Sequence, residues 1–438
     1  MLKDPMRPEI THEFATQLPE MAAQARGEEQ PSPELVVLNV DLAASLGLDP
    51  EWLRSSEGLD FLLGHGTAHA MAYSGYQFGQ FNPHMGDGRA LLLGEVGGRD
   101  LHAKGTGRTP YSRHGSDGRG TLRSMLREYL MSEAMHALGV PTTRGLAVIA
   151  TGRKIQRQIV EPAGVHVRVA ASHIRVGSFH FAARDSGLLQ RLADYTIARH
   201  YPGSTYRELY TQAMDAQIAT VAAWQRLGFI HGVMNTDNTT LSGETIDYGP
   251  CAFMETYDPD TWFSSIDTQG RYRFGQQPAM LGWNLARLAE SLLPLFDSGP
   301  NRAVEFAQET INGFYGKFER QWHGQLATRL GISADAVPGY LAAVTGHDLT
   351  NFNAGLNSGG AGLAPEWEQR WREESSFSTP DPAQRFHRVI PRNLNVEAAL
   401  ADIGEFHRLL DAVTHPYQSQ PEYEQPGDLS TYRTFCGT

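Results

Sequence analysis

The stretch Gly86-Asp87-Gly88-Arg89-Ala90-Leu91-Leu92-Leu93-Gly94-Glu95-Val96-Gly97-Gly98-Arg99-Asp100-Leu101-His102-Ala103-Lys104 reads as turn, strand, turn, strand. Gly97-Gly98-Arg99-Asp100 offers a turn before Leu101-His102-Ala103-Lys104, the pattern of an antiparallel hairpin. The hairpin ends on Lys104, which can place its ammonium against phosphate. Gly86 and Gly88 let the backbone approach the same phosphates, and Arg89 supplies a second cation.

Beyond the hairpin, Leu122, Met125, Leu126, Tyr129, Leu130, Ala134, Ala137 and Leu138 recur at helical spacing until Gly139-Val140-Pro141 stops the run. Three β-like stretches follow at 145–150, 154–160 and 165–170. In the last of these, Val165, Val167 and Val169 alternate with His166 and Arg168, so Arg168 is expected to point away from the packed face. These pieces describe a small sheet-plus-helix unit over about residues 75–170. Before it, short helical patterns with proline breaks read as an extension packed on the body.

After residue 170 the chain is mainly helical, with helices expected at 206–227, 281–296, 302–330 and 396–413. The Gly-, Asn-, Ser- and Pro-rich segment 351–382 reads as a surface loop. The expected fold class is α+β and bilobal. An extension (1–72) is followed by a small sheet-plus-helix lobe that binds nucleotide (73–170). A larger helical lobe (171–438) carries the catalytic and metal-binding loops and a C-terminal extension.

A length of 438 residues suffices for a sizeable core, and 41% hydrophobic with 20% charged residues is an ordinary globular balance. The formal charge of −12 discourages a broad nucleic-acid-binding surface. Cys251 and Cys436 are too few for a disulfide scaffold. The start MLKDPMRPEITHEF lacks the apolar stretch of a signal peptide, and no later run is long and apolar enough to span a membrane. The expectation is a soluble protein, cytoplasmic if bacterial, with no nucleic-acid or membrane partner.

The chemistry-bearing residues lie far apart in sequence. His231-Gly232-Val233-Met234-Asn235-Thr236-Asp237-Asn238 and Ile246-Asp247-Tyr248-Gly249 offer the carboxylate and amide oxygens that hold a divalent metal beside a triphosphate. Asp247, read as a strand-end carboxylate, is expected to bind Mg2+ or Mn2+. Asn238 adds a neutral oxygen, which leaves Asp237 to accept a proton from an attacking hydroxyl. His231 reads as an organiser of its loop. Lys104 needs an anionic partner. Helical phase sets Glu133 near the centre of the apolar stripe and Glu128 on the opposite, polar side, which favours Glu133 as the buried acid while leaving both open. Arg168 and Arg175, with a second polar glycine loop holding Ser112, Arg113, Asp117, Gly118 and Arg119, could neutralise a terminal phosphate or a pyrophosphate leaving group.

The blocks YSGYQFG at 73–79, GDGRA at 86–90, KGTGRTPYSR at 104–113, DGRGTLRSMLREYLMSEAMHALGVPTTR at 117–144, RVAASHIRVGSF at 168–179, HGVMNTDN at 231–238 and IDYGP at 246–250 resemble the selenoprotein O family. Those proteins are adenylyltransferases built on a protein-kinase-like fold, and the blocks cover nearly the whole chain. The resemblance implies a nucleotide held inverted relative to a kinase, with ATP and a protein Ser, Thr or Tyr hydroxyl as substrates and pyrophosphate as product. It implies that Gly86, Gly88, Arg89, Lys104, Asp117, Gly118, Arg168, Arg175 and Asp247 bind nucleotide. It makes Asp237 the proton acceptor and Asn238 and Asp247 the metal ligands, and it places the partner of Lys104 at Glu128, against the helical phase.

An ordinary kinase places its catalytic aspartate five residues before the metal-binding asparagine, and here Asp237 and Asn238 are adjacent. Tyr248 stands where a kinase has the phenylalanine of its DFG motif. The chain ends Phe435-Cys436-Gly437-Thr438 with no selenocysteine, and family redox control through a terminal chalcogen implies a Cys251–Cys436 pair as one alternative to two free thiols. γ-Phosphoryl transfer by a kinase and a nonenzymatic nucleotide sensor are the competing functions. The sequence carries no signal for oligomeric state.

Overall fold

The computed structural model describes residues 9–376 and 385–435. The strands of its main sheet are β1 (Ala22–Ala25), β2 (Glu34–Leu38), β3 (Ala68–Gln77), β4 (Gln80–Gly86), β5 (Ala90–Val96), β6 (Arg99–Lys104), β7 (Gly120–Thr121), β8 (Arg144–Gln156) and β9 (Val160–Ala170). They form one sheet in the order β1-β3-β5-β6-β9-β8-β2, with β4 on β3 and β7 on β9. The β5–β6 hairpin forms where the sequence predicts it, with φ of 57° at Gly97 and 74° at Gly98, the left-handed pair that a tight hairpin requires. The chain is α+β.

The first sixty residues supply β1 and β2 as well as short helices, so they enter the sheet where the proline-broken pattern suggested helices alone. Leu42, Trp52, Leu53 and Leu62 from those helices and Leu48 from the connection between two of them form a core with Leu91, Leu93, Leu101, Val165, Val167 and Val169 on one face of the sheet. Each such side chain contributes roughly 1.5–3 kcal/mol on full burial. Because β9 alternates, Arg168 does face away from that core, but it is buried at 4% exposure. The sheet is covered on both sides, so the face opposite the apolar core is a lined interior and not a solvent face.

The second cover includes α1 (Leu122–Ala137), capped by Thr121, whose hydroxyl accepts from Ser124 N. Every residue from Met125 to Met135 is buried. That helix therefore has no polar side, which is why helical phase misjudged its two acids. Beyond the sheet come α2 (Val176–Ala182), α3 (Tyr206–Leu227), α4 (Gln277–Phe296), α5 (Pro300–Asn312), α6 (Phe314–Leu330), α7 (Asn393–Ala399) and α8 (Ile403–Thr414).

The expected helix at 206–227 matches α3, and the expected single helices at 302–330 and 396–413 are each two, the first broken at Gly313 and the second at residues 400–402. The segment 351–382, read as loop, contains helical residues in Leu349–Leu356 and Pro365–Glu374. Trp371, 5% exposed, anchors the second of these by donating its indole N–H to Leu330 O. Among the described residues no helix is long and apolar enough to cross a membrane.

Candidate active site

A cleft of about 1200 Å3 is lined by residues of the sheet and of the helical part, including Gly86, Gly88, Arg89, Lys104, Asp117, Arg168, Arg175, Asp237, Asn238 and Asp247. Gly118 and Glu128 are not in the lining. Glu128 lies behind Lys104, and Gly118 packs on the Gly107 carbonyl, which a Cβ at Gly118 would approach to 2.2 Å.

Lys104, the last residue of β6, donates from Nζ to Glu128 Oε1 and to Asp247 Oδ1. Burial pushes both carboxyls up, but the ammonium outweighs it and holds each well below the usual carboxylate range, with Arg168 adding to the effect on Asp247. Glu133 is engaged elsewhere. It accepts from Arg144 Nε at 2.8 Å and Nη2 at 2.7 Å, from Gly145 N at 2.9 Å and from Asn39 Nδ2 at 2.9 Å.

Asp237 and Asn238 lie in a one-turn 3-10 helix, Thr236–Asn238. The β3–β4 hairpin reaches down onto that turn, with Tyr76 N donating to Thr236 Oγ1 at 2.8 Å and Phe78 N to Asn235 Oδ1 at 3.1 Å. Asn238 Nδ2 donates to Val233 O at 3.0 Å, which orients the amide. Asp237 Oδ1 is buried and has no hydrogen-bond partner, and burial pushes this carboxyl up to about 6.

Asp247 stands in a loop, not at a strand end, with φ of 68°, a left-handed value that aspartate tolerates better than most residues. His231 organises its loop as expected, with Nε2 against Ile246 O at 2.9 Å and its N–H donating to Gln277 Oε1 at 3.0 Å.

Gly86 is required by close approach, since a Cβ there would stand 2.4 Å from the Tyr111 ring and 2.8 Å from Met71 O. The Asp117 carboxylate accepts from both terminal nitrogens of Arg157, at 3.0 and 2.9 Å. Arg157, Tyr73 and Tyr111 line the cleft as well. Sequence reading passed over them because an isolated arginine or tyrosine, in strand β3 as for Tyr73 or in a connection as for Tyr111 and Arg157, has no local mark. Asp87 was passed over although it sits between the two glycines, and its position inside GDGRA was the available signal.

Among the described residues no group of three or more His, Cys, Asp and Glu side chains is arranged to hold a metal ion. The ionised Asp247 and the Asn238 amide oxygen are nonetheless donors that suit a hard divalent cation taking its remaining ligands from phosphates and water. Cys251 is fully buried, and burial pushes its thiol up to about 12. Cys436 lies outside the described residues, so the proposed pairing does too.

The family described as Protein adenylyltransferase SelO matches residues 6–391. The chain belongs to that family. It is 52% identical to the protein nucleotidyltransferase YdiU of Corynebacterium efficiens over 97% of this chain and 95% of the relative. The YdiU protein of Pseudarthrobacter chlorophenolicus is 46% identical over 97% of both chains, and that of Mycolicibacterium smegmatis is 45% identical over 97% of both. Protein adenylylation is the activity that SelO membership carries.

Proposed function

We propose that the cleft binds ATP with its α-phosphate toward Asp237 and transfers AMP to a Ser, Thr or Tyr hydroxyl of a protein. In this reading the two halves are the lobes of a kinase-like fold, with residues 73–170 as nucleotide lobe, 171–438 as helical lobe and 1–72 packed on the body. Asp237 accepts the proton as the hydroxyl oxygen bonds to the α-phosphorus. The bond from that phosphorus to the bridging oxygen breaks, and pyrophosphate leaves with the electron pair.

Lys104, kept in place by Glu128, and Arg89 set cations against the phosphates. Arg168 and Arg175 neutralise the departing pyrophosphate. Gly86 and Gly88, packed closely on Tyr111, present their own backbone to the phosphates, while Asp117 and Gly118 shape the wall beside them. Asn238 and Asp247 would hold Mg2+ or Mn2+, which supplies positive charge against the anionic oxygens when bound.

The observation that carries this reading is the unpaired, buried Oδ1 of Asp237 in a cleft that also holds two buried guanidinium groups. A base poised near neutrality is what proton removal from a hydroxyl needs. The test is incubation of the protein with ATP labelled separately on its α- and γ-phosphates. Protein labelled from the α position alone is expected. Labelling from γ alone would make the chain a kinase, and labelling from neither would leave a nucleotide sensor.

A further inference from the structure

Asp87 and His102, used by none of the steps above, belong to a buried polar network that holds the two cleft arginines, Arg168 and Arg175. β6 and β9 run antiparallel with His102 directly opposite Arg168, so both side chains leave the same face of the sheet. Arg168 Nε lies 3.3 Å from His102 Nδ1, and His102 Nε2 lies 2.9 Å from Asp87 Oδ2. The other carboxylate oxygen, Asp87 Oδ1, accepts from Arg175 Nη2 at 3.4 Å. Asp87 is held in turn by Met71 N, which donates to its Oδ2 at 3.1 Å. The His102 ring stacks on His173 with centroids 4.2 Å apart, and His173 is tied to Asp100 at 3.1 Å.

This chain of contacts fixes a tautomer. An arginine Nε–H can only donate, so Nδ1 of His102 must present its lone pair, and the ring proton sits on Nε2 facing the Asp87 carboxylate. A neutral histidine thus hands one arginine an acceptor and the carboxylate a donor, while the carboxylate holds the second arginine. Arg168 Nη1 also lies 4.0 Å from Glu128 Oε2, and the Arg175 guanidinium lies over the Tyr73 ring, 4.4 Å from its centroid. Arg168 Nη1 and Arg175 Nε are buried without a hydrogen-bond partner. Both arginines line the cleft, at 4% and 5% exposure. Buried guanidinium groups with fixed inner edges and open outer ones are pre-oriented for an anion with several oxygens. Burial keeps His102 neutral, with Arg168 and Arg175 acting in the same sense and Asp87 opposing them.

We infer that Asp87 and His102 are positioning residues that orient Arg168 and Arg175 toward the β- and γ-phosphates of the nucleotide. This rests on the reading that the cleft binds ATP. It adds two residues that touch no substrate and act on the triphosphate end alone.

The test is equilibrium binding of ATP, AMP and inorganic pyrophosphate to the full chain. His102→Phe keeps a ring against His173 but has neither donor nor acceptor. It is expected to weaken ATP and pyrophosphate about tenfold, the effect of losing one or two oriented hydrogen bonds, and to leave AMP unchanged. His102→Asn retains an amide oxygen near the place of Nδ1 and should recover part of the loss, which a general packing defect would not allow. Asp87→Asn, close in shape, supplies the same readout through Arg175 should His102→Phe not fold.

ATP and AMP affinities that fall together, or an ATP-to-AMP ratio equal to wild type in both His102→Phe and Asp87→Asn, would overturn the inference. Wild-type protein that binds ATP but transfers no AMP would remove the proposed reaction and leave these ratios readable.

Discussion

Lys104 and Asp247, 143 residues apart, meet across the cleft through a hydrogen bond from Nζ to Oδ1, while the same ammonium holds Glu128. One cation therefore balances two carboxylates, whose side chains are 32% and 5% exposed respectively. Lys104→Ala leaves both acids without their counterion. Removing one partner from a buried ion pair costs about 3–5 kcal/mol. Urea unfolding of this variant should show a loss of that order, together with loss of AMP transfer. A variant as stable as wild type would contradict the shared ion pair.

The two acids of α1 give a sharper contrast. Glu128→Gln should abolish most transfer activity, because Lys104 is no longer held for the phosphates. Glu133→Gln weakens the clamp on Arg144 and Gly145 and should lower the unfolding midpoint while the folded protein keeps its activity. Initial rates per folded molecule, beside thermal melts, distinguish these. Activity lost in Glu133→Gln and retained in Glu128→Gln would reverse the assignment.

The roles of Asp237, in the 3-10 turn, and of Asp247, in its own loop, are separable by kinetics. Asp237→Asn removes the proton acceptor with little change of shape, so kcat should fall about 10²–10⁴-fold with nucleotide affinity retained. Asp247→Ala should instead abolish the response of the rate to added Mg2+ or Mn2+. Equal kcat in wild type and Asp237→Asn would exclude Asp237 as base.

Much of this was legible in the chain because local patterns sufficed. The β5–β6 hairpin announced itself through its glycine-bearing turn, and α3 through its apolar period. What periodicity missed was burial on two sides. α1 is enclosed all round, so phase gave no reason to choose Glu128 over Glu133, and only the motif resemblance pointed to Glu128. Arg168 was placed on the correct face of β9, but a sequence does not reveal that this face is also covered. His102 was invisible for a related reason. Its function depends on an arginine 66 residues away in the neighbouring strand, a relation that no local window contains.

Buried histidines set the acid stability. Burial, helped by nearby arginines, pushes His102, His180 and His200 down to about 4 from an ordinary 6.5, and it takes His173 well below that value. For each of these the unfolded chain binds a proton that the folded chain refuses. Their contribution is complete above pH 6.5 and is lost as pH falls toward 4. Two carboxyls oppose this, since burial pushes Asp237 up to about 6 and Glu244 up to about 7, and these favour the folded state on acidification. Burial pushes His69, His136, His166, His231 and His387 down as well and Glu255 up, so depressed histidines outnumber raised carboxyls and leave net proton uptake on unfolding. Unfolding free energy from urea titrations should therefore decline between pH 6.5 and 4.5, before ordinary carboxylates protonate. His180→Gln, which keeps a hydrogen-bonding side chain for Ser291 Oγ, should make that decline shallower. Stability that stays flat or rises down to pH 4.5 would mean that these histidines are protonated in the folded protein.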